Sequence, residues 1–157
     1  MARGRYRYLV LIVLAAVLVA VFYPSDKKRI NKVLKACSES VLNEDIGQLM
    51  EHISYNYRDD YGGSYLALKK RAEMVFSRFN DFEITADVMR ISVDGERAEA
   101  QLKVSIIATE DGRRGYFIGD AEKARDVRVL LEKSSYGWEI INIGLDGQGE
   151  GWDSNKP

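Results

Sequence analysis

Apolar residues follow three successive patterns along this chain of 157 residues. Residues 9–23 form an unbroken apolar run, residues 25–79 place apolar side chains at helical spacing, and residues 80–143 alternate apolar and polar positions. An uninterrupted run is typical of a membrane-directed segment, spacing of three or four residues indicates amphipathic helices, and a period of two indicates half-buried strands. The pattern therefore predicts an apolar leader, then helices, then a sheet.

Three helices are predicted between residues 25 and 79. The first follows Ser25 or Asp26, either of which can cap it, and its apolar face consists of Ile30, Val33, Leu34, Cys37 and Val41. The second is shorter, can be capped by Asp45, and presents Ile46, Leu49, Met50 and Ile53. The third is predicted to be capped by Ser64, and its apolar face, the most regular of the three, consists of Leu68, Ala72, Val75, Phe76 and Phe79. Residues 54–63 are rich in Tyr, Asp and Gly and indicate a loop.

About four strands are predicted after Asn80. In the first, the apolar phase changes between Val88 and Met89, which indicates a β-bulge. The other three strands are predicted at residues 98–106, 127–131 and 138–143. Residues 112–125 leave alternatives open, because residues 116–118 can begin a further strand while the rest can be a bulge, a short helical turn or a loop. Short turns between successive strands predict one curved antiparallel sheet.

The apolar run carries the features of a signal anchor. Arg3, Arg5 and Arg7 precede it, and tyrosines flank it where interfacial aromatic residues lie in membrane proteins. Fifteen apolar residues lie between the length of a signal-peptide core and that of a spanning helix, and no good cleavage site follows. We expect residues 1–24 to be an uncleaved anchor that spans the inner (cytoplasmic) membrane once through residues 6–23, with the remainder in the periplasm. The alternative is a secreted soluble domain after cleavage.

Composition limits what the remainder can be. Removing residues 1–24 takes away three of the 23 basic residues and none of the 24 acidic ones, so 20 basic and 24 acidic residues remain. This mildly acidic balance argues against nucleic acid as a partner. We expect one domain at residues 25–145 and a disordered tail at residues 146–157. The lone cysteine, Cys37, lies on a helical apolar face and is interpreted as a buried structural thiol.

The sequence offers few groups for catalysis. His52, Tyr57 and Asp59 are weak candidates, because a histidine near a carboxylate in a dry pocket can act as a general base. Asp59 and Asp60 are adjacent, so in an extended segment their side chains point in opposite directions, and loop solvation is the simpler interpretation. One His and one Cys cannot supply an ordinary zinc site, and no phosphate-binding glycine loop is present. We therefore expect no metal and no cofactor.

The order of elements resembles a known superfamily. Residues 49–54 (LMEHIS), residues 57–59 (YRD) and residues 136–141 (YGWEII) resemble segments of the nuclear transport factor 2-like, or SnoaL-like, superfamily, over about residues 25–145. The resemblance implies an α+β cone in which three N-terminal helices pack on a curved antiparallel sheet. It also implies a pocket between helices and sheet, for which the ligand-contacting candidates are Tyr55, Tyr57, Tyr65, Phe76, Phe79, Tyr116 and Trp138.

Two classes of function are consistent with that resemblance, because fold alone does not determine function. The first is a non-catalytic binding or assembly module at the membrane, which forms a homodimer or joins an envelope complex through its sheet and can hold a small hydrophobic ligand. The second is a SnoaL-type isomerase, dehydratase or hydrolase that uses the pocket. A pocket filled by aromatic side chains favours the first class, and an open pocket with a titratable group favours the second.

Overall fold

The structure is a computed structural model that describes residues 25–121 and 123–146. The predicted anchor at residues 1–24 and, apart from Asp146, the predicted disordered tail lie outside the described residues. Every helix in the described ranges falls short of the length and apolar character that crossing a bilayer requires.

The three predicted helices are present. They are α1 (Asp26–Leu42), α2 (Ile46–Glu51) and α3 (Tyr65–Arg78). Asp45 caps α2 as expected, because its carboxylate accepts a hydrogen bond from the Gln48 N–H at 2.9 Å. The caps predicted for the other two helices are wrong. The Ser25 side chain makes no capping bond at α1, where the Asp26 carboxylate is turned toward the sheet, and the Ser64 side chain makes none at α3.

The sheet has five antiparallel strands rather than about four. The strands are β1 (Asn80–Asp94), β2 (Arg97–Glu110), β3 (Arg113–Ile118), β4 (Arg125–Ser134) and β5 (Gly137–Asp146). The central order is β1-β2-β4-β5, and the additional strand β3 pairs with the second half of β2. Asp111 and Gly112 both have positive φ, so they reverse the chain tightly enough to return β3 along β2. The segment at residues 112–125, for which the sequence left several alternatives open, therefore begins with a strand.

The bulge predicted in β1 is confirmed. The pairing with β2 shifts register between Val88 and Arg90, which leaves Met89 without a partner in the ladder. Residues on both sides of the bulge can therefore direct apolar side chains to the same face of the sheet.

The core lies between α1, α2 and the concave face of the sheet. From the helices, Ile30, Leu34 and Met50 are buried; from the sheet, the buried side chains include Ala100, Leu102, Val129, Leu131, Trp138 and Ile140. Helix α3 contributes no buried residue despite its regular apolar face. Its first turns contact the margin of this core through Tyr65 and Leu68. The third helix therefore leaves space beside the core, and this space becomes the main cavity.

The two outer strands of the sheet differ in how they are covered. The segment after α2 pairs with β5: the Ser54 N–H donates to the Ile140 carbonyl and the Arg58 N–H donates to the Ile141 carbonyl, both at 2.9 Å. In the described part of the chain, β1 pairs with β2 alone, so its other edge has no strand neighbour. An uncovered edge strand is a template for pairing with another chain.

Candidate functional site

Asp59 is a structural clamp in the loop between α2 and α3. Its carboxylate accepts hydrogen bonds from the N–H groups of Gly63 at 2.6 Å and Tyr61 at 3.0 Å, and from the Arg71 guanidinium. Only 7% of the side chain is exposed. Burial by itself raises the pKa of Asp59, but the hydrogen bonds from Gly63, Arg71 and Tyr61 outweigh it and hold the pKa below its ordinary value. The interpretation of Asp59 as a solvated loop residue is wrong, because its oxygens are needed to close the loop.

Asp60 points to a different part of the molecule. One of its carboxylate oxygens accepts a hydrogen bond from the Asn142 side-chain amide at 3.0 Å, and the other lies 3.9 Å from the Arg128 guanidinium. The adjacent carboxylates thus serve separate elements: Asp59 joins the loop to α3, and Asp60 joins it to β4 and β5.

Tyr57 belongs to the core. Its side chain is 2% exposed and packs among the buried apolar residues. Burial, together with the negative charge of Asp59, raises the pKa of Tyr57 to about 12. The phenol is therefore neutral at physiological pH and shielded from solvent.

His52 ends α2 and is half-buried. Its backbone carbonyl accepts a hydrogen bond from the Ile140 N–H at 2.9 Å, which fixes the start of the segment along β5. Within residues 25–121 and 123–146 its ring forms no hydrogen bond and does not line the two cavities described below. The contact that His52 contributes to the structure is therefore the hydrogen bond of its backbone carbonyl to β5.

Trp138 ties the final strand to the first helix. The indole N–H donates to the Asp26 carboxylate at 3.1 Å, and the Lys133 ammonium lies 3.3 Å from the same group. The Trp138 hydrogen bond is the main cause of the lowered pKa of Asp26. The Trp138 side chain is buried at 3% exposure. It therefore fills the concave face rather than lining an open pocket.

The larger cavity, of about 590 Å³, opens between α2, α3 and the turn that joins β4 to β5. Its lining consists of Ile46, Gly47, Met50, Glu51, Ile53, Tyr55, Tyr65, Lys69, Glu73, Tyr136 and Glu139. The rings of Tyr55 and Tyr65 form one wall, with centroids 4.7 Å apart and planes inclined at 37°. Burial raises the pKa of Tyr65, and the neighbouring Tyr55, which shares a hydrogen bond with its phenol, raises it further. This cavity is the candidate functional site.

A second cavity, of about 330 Å³, lies at the opposite end of α3. It is lined by Phe79, Ala108, Glu110, Arg113, Gly115, Tyr116 and Phe117. Beside it, aromatic rings contact one another edge to face: Phe76 packs on Phe82 with centroids 5.5 Å apart, and Phe79 packs on Phe117 at 5.1 Å. These contacts hold the end of α3 against β1 and β3.

The seven predicted ligand-contacting residues are thus separated by the fold. Tyr55 and Tyr65 line the larger cavity, Phe79 and Tyr116 line the smaller one, Phe76 lies in the aromatic cluster, and Tyr57 and Trp138 are buried. Sequence reasoning missed the charged lining of the larger cavity. A usable signal was present on α3, because Tyr65, Lys69 and Glu73 recur every four residues and so share one helical face.

The described residues offer no evident metal centre. Within residues 25–121 and 123–146, no three His, Cys, Asp or Glu side chains group closely enough to hold a metal ion. Burial raises the pKa of the Cys37 thiol to about 12, so at neutral pH the thiolate needed for nucleophilic attack is scarce.

Comparison with solved structures identifies the fold. A nuclear transport factor 2-like protein with a cystatin-like fold from Novosphingobium aromaticivorans is 15% identical, with a TM-score of 0.62, and the match covers 87% of this chain and 90% of that one. A ketosteroid isomerase-like protein from Erwinia carotovora atroseptica is 13% identical, with a TM-score of 0.62, and the match covers 80% and 100%. A candidate dehydratase of the nuclear transport factor 2-like family from Streptomyces avermitilis is 12% identical, with a TM-score of 0.64 and coverage of 77% and 95%.

No family model matches this sequence, and no curated protein matches it significantly. The structural matches, at identities of 12–15%, show the fold alone. The domain therefore has a nuclear transport factor 2-like α+β fold, as the sequence resemblance implied.

Proposed function

We propose that this protein is a non-catalytic binding and assembly module, held at the inner membrane by residues 6–23 with its domain on the extracytoplasmic side. The observation that carries the proposal is the filled concave face of the sheet. Tyr57 and Trp138 are 2% and 3% exposed there, in the region where the enzymatic members of this superfamily were expected to keep an open pocket.

The polar groups expected to perform catalysis have structural partners instead. The oxygens of Asp59 close the loop and bind Arg71. The phenol of Tyr57 has its pKa raised to about 12, far from the neutral range in which a general base works best. These two groups support folding, and a proton-transfer role would require each to leave its present contacts.

The uncovered edge of β1 is the surface that we propose for assembly. The outer face of the sheet is polar and carries ion pairs such as Lys103–Asp126, whereas stable homodimer interfaces are more apolar. Along β1, Val88 and Met89 are exposed, Met89 at 61%. Strand pairing along this edge would satisfy backbone groups and cover these side chains. We propose a second copy of this chain as the occupant.

Site-specific photo-cross-linking in intact cells tests this assignment. A photo-reactive residue at position 89 of the full chain should yield a covalent dimer, while the same group at Gln101 on the central strand β2 should not. The Met89→Lys variant should abolish the dimer and leave the circular dichroism of the folded domain unchanged, because Met89 is exposed in the single chain. Equal cross-linking from both positions would refute the assignment of the β1 edge as the assembly surface. Capture of a different protein from position 89 would refute the proposal that a second copy of this chain occupies the edge.

The membrane location rests on the apolar run and on the arginines that precede it. Membrane fractionation combined with intact-mass measurement tests it. The full chain should remain in the membrane pellet after high-salt washing, and the mass should include residues 1–24. A shortened mass in the soluble extracytoplasmic fraction would show that the apolar segment is a cleaved signal peptide and not an anchor.

A SnoaL-type isomerase, dehydratase or hydrolase is the second candidate, and the 590 Å³ cavity favours it. Its volume suits a small molecule, and the phenol of Tyr65 can donate a hydrogen bond to a carbonyl oxygen. Turnover of a small carbonyl compound by the purified chain, lost in Tyr65→Phe, would reverse the ranking of the two proposals.

A further inference from the structure

We infer that the larger cavity is a binding site for an organic ammonium cation with an apolar body. This inference goes beyond the assembly proposal and does not depend on it, since the cavity lies between α2, α3 and the β4–β5 turn, and the proposed assembly surface is the edge of β1. Three features of the lining lead to it: its charge, its aromatic rings and its apolar floor.

The charge of the lining is negative. Glu51, Glu73 and Glu139 face the cavity with a single basic residue, Lys69, which leaves a net charge of minus two. In the described part of the chain, none of these three carboxylates forms an ion pair with a Lys or Arg side chain. An anion in the cavity would be attracted only by Lys69 and the N-terminal end of α3 and would be repelled by three carboxylates. A cation would be attracted by all three carboxylates.

Aromatic rings surround the same space. Tyr55 is 83% exposed and Tyr136 is 96% exposed, so among the described residues both present mostly uncovered ring surface at the cavity mouth. Tyr65 packs beside Tyr55. A cation over the face of a tyrosine is attracted by the negative face of the ring, and the attraction is stronger where the cation is desolvated. The rings therefore favour a cation whose charge is spread over carbon-bearing groups.

The floor of the cavity is apolar. Met50 and Ile53 are buried core residues whose side chains reach the lining, and Ile46 lies beside them. A hydrated metal ion would gain nothing from this surface, because alkyl groups offer it no ligand. Methyl or alkyl substituents on a quaternary or secondary ammonium would cover it. The volume of about 590 Å³ leaves room for further atoms beyond the ammonium head.

Binding of choline to the full chain tests the inference. We would measure it by titration calorimetry in a non-ionic detergent free of choline groups, against the neutral isostere in which carbon replaces the quaternary nitrogen. Choline should bind about tenfold more tightly than the isostere, which corresponds to about 1.4 kcal/mol. Raising the salt concentration should weaken choline binding and leave the isostere unaffected. Equal affinities, or no choline binding, would overturn the inference.

Variants locate the site. The double variant Glu51→Gln with Glu139→Gln should weaken choline binding by about tenfold and leave the isostere unaffected, and Tyr55→Leu, at an exposed position, should weaken choline binding separately. Glu96→Gln, in the exposed β1–β2 turn outside the cavity, is the matched control and should bind as the parent does. Loss of affinity in the control alone, or none in the cavity variants, would place the site elsewhere and overturn the inference.

A free organic amine and a lipid choline headgroup share this chemistry. Reconstitution of the full chain in phosphatidylcholine vesicles and in phosphatidylglycerol vesicles separates the two sources. Weaker choline binding in the phosphatidylcholine vesicles would identify the headgroup as a ligand of the cavity. Equal binding in both would identify a free amine. No binding in either preparation would overturn the inference.

Discussion

Replacing Gly63 by alanine provides a sharp test of the Asp59 clamp. A Cβ atom built on Gly63 would lie 2.3 Å from one carboxylate oxygen of Asp59 and 2.8 Å from its carboxyl carbon. These distances are far below van der Waals contact, so the Asp59 side chain has to leave its position. The substitution should therefore act by displacing the carboxylate from the Gly63 N–H, the Tyr61 N–H and Arg71.

The cost follows from the bonds that are lost. A hydrogen bond to a charged group contributes about 1.5–3 kcal/mol to stability, and the half-exposed Arg71 contact contributes about 0.2–1 kcal/mol. The Tyr61 and Gly63 N–H groups donate to the same oxygen, Oδ1, so we count them as one such bond, and with the Arg71 contact we expect Gly63→Ala to lower the free energy of unfolding by about 2–4 kcal/mol. For a domain of this size that corresponds to a fall in Tm of roughly 10 °C.

Urea unfolding of the full chain, followed by circular dichroism, measures this loss. Gly115→Ala is the matched control, because a Cβ there meets no atom within 4 Å, and it should change stability by less than about 0.5 kcal/mol. Adding Gly63→Ala to Asp59→Ala should cost little more than Asp59→Ala alone. Additive losses in the double variant would refute the reasoning, because they would mean that Gly63 acts without Asp59.

Three further predictions concern ionisable and aromatic groups. Cys37 is half-buried against the core and loss of solvation raises its pKa to about 12, so a thiol reagent should modify the native chain far more slowly than the urea-unfolded chain at neutral pH; equal rates would contradict its packing against the core. The pKa of Tyr57 is raised to about 12 against about 10 when unfolded, so stability should fall as pH rises between those values, and more steeply than in Tyr57→Phe. Trp138→Phe should lower the urea midpoint, because the Asp26 carboxylate loses its indole donor and the smaller ring fills less of the buried space; an unchanged midpoint would contradict this.

Local patterns along the sequence were sufficient for most elements of the fold. The helical spacing of Ile30 and Leu34, the cap at Asp45 and the phase change at Val88 each depend on a few neighbouring residues, and each is found in the structure. The fifth strand was harder to predict, because β3 is short and mostly exposed and therefore has little apolar alternation. Its position depends on pairing with the distant half of β2.

The candidate site was predictable only in part. Tyr55 and Tyr65 were singled out from the sequence, and they line the same wall of the larger cavity. Glu51 and Glu139 were not, since an exposed glutamate has the same local pattern whether it faces a cavity or open solvent. What distinguishes them is that α2 and β5 lie beside the same opening.

The amino-acid order by itself determined the three helices, four of the five strands and the bulge, because these depend on the spacing and type of nearby side chains. Tertiary structure decided which aromatic residues are buried and which line a cavity. Tyr55 and Tyr57 are two residues apart, yet one is exposed and the other is in the core, because Tyr55 lies in a tight turn closed by the hydrogen bond from the Tyr57 N–H to the Ser54 carbonyl at 3.0 Å, whereas the Tyr57 side chain packs among the buried residues. Burial of this kind depends on which elements pack together, and that is set by contacts between residues far apart in the chain.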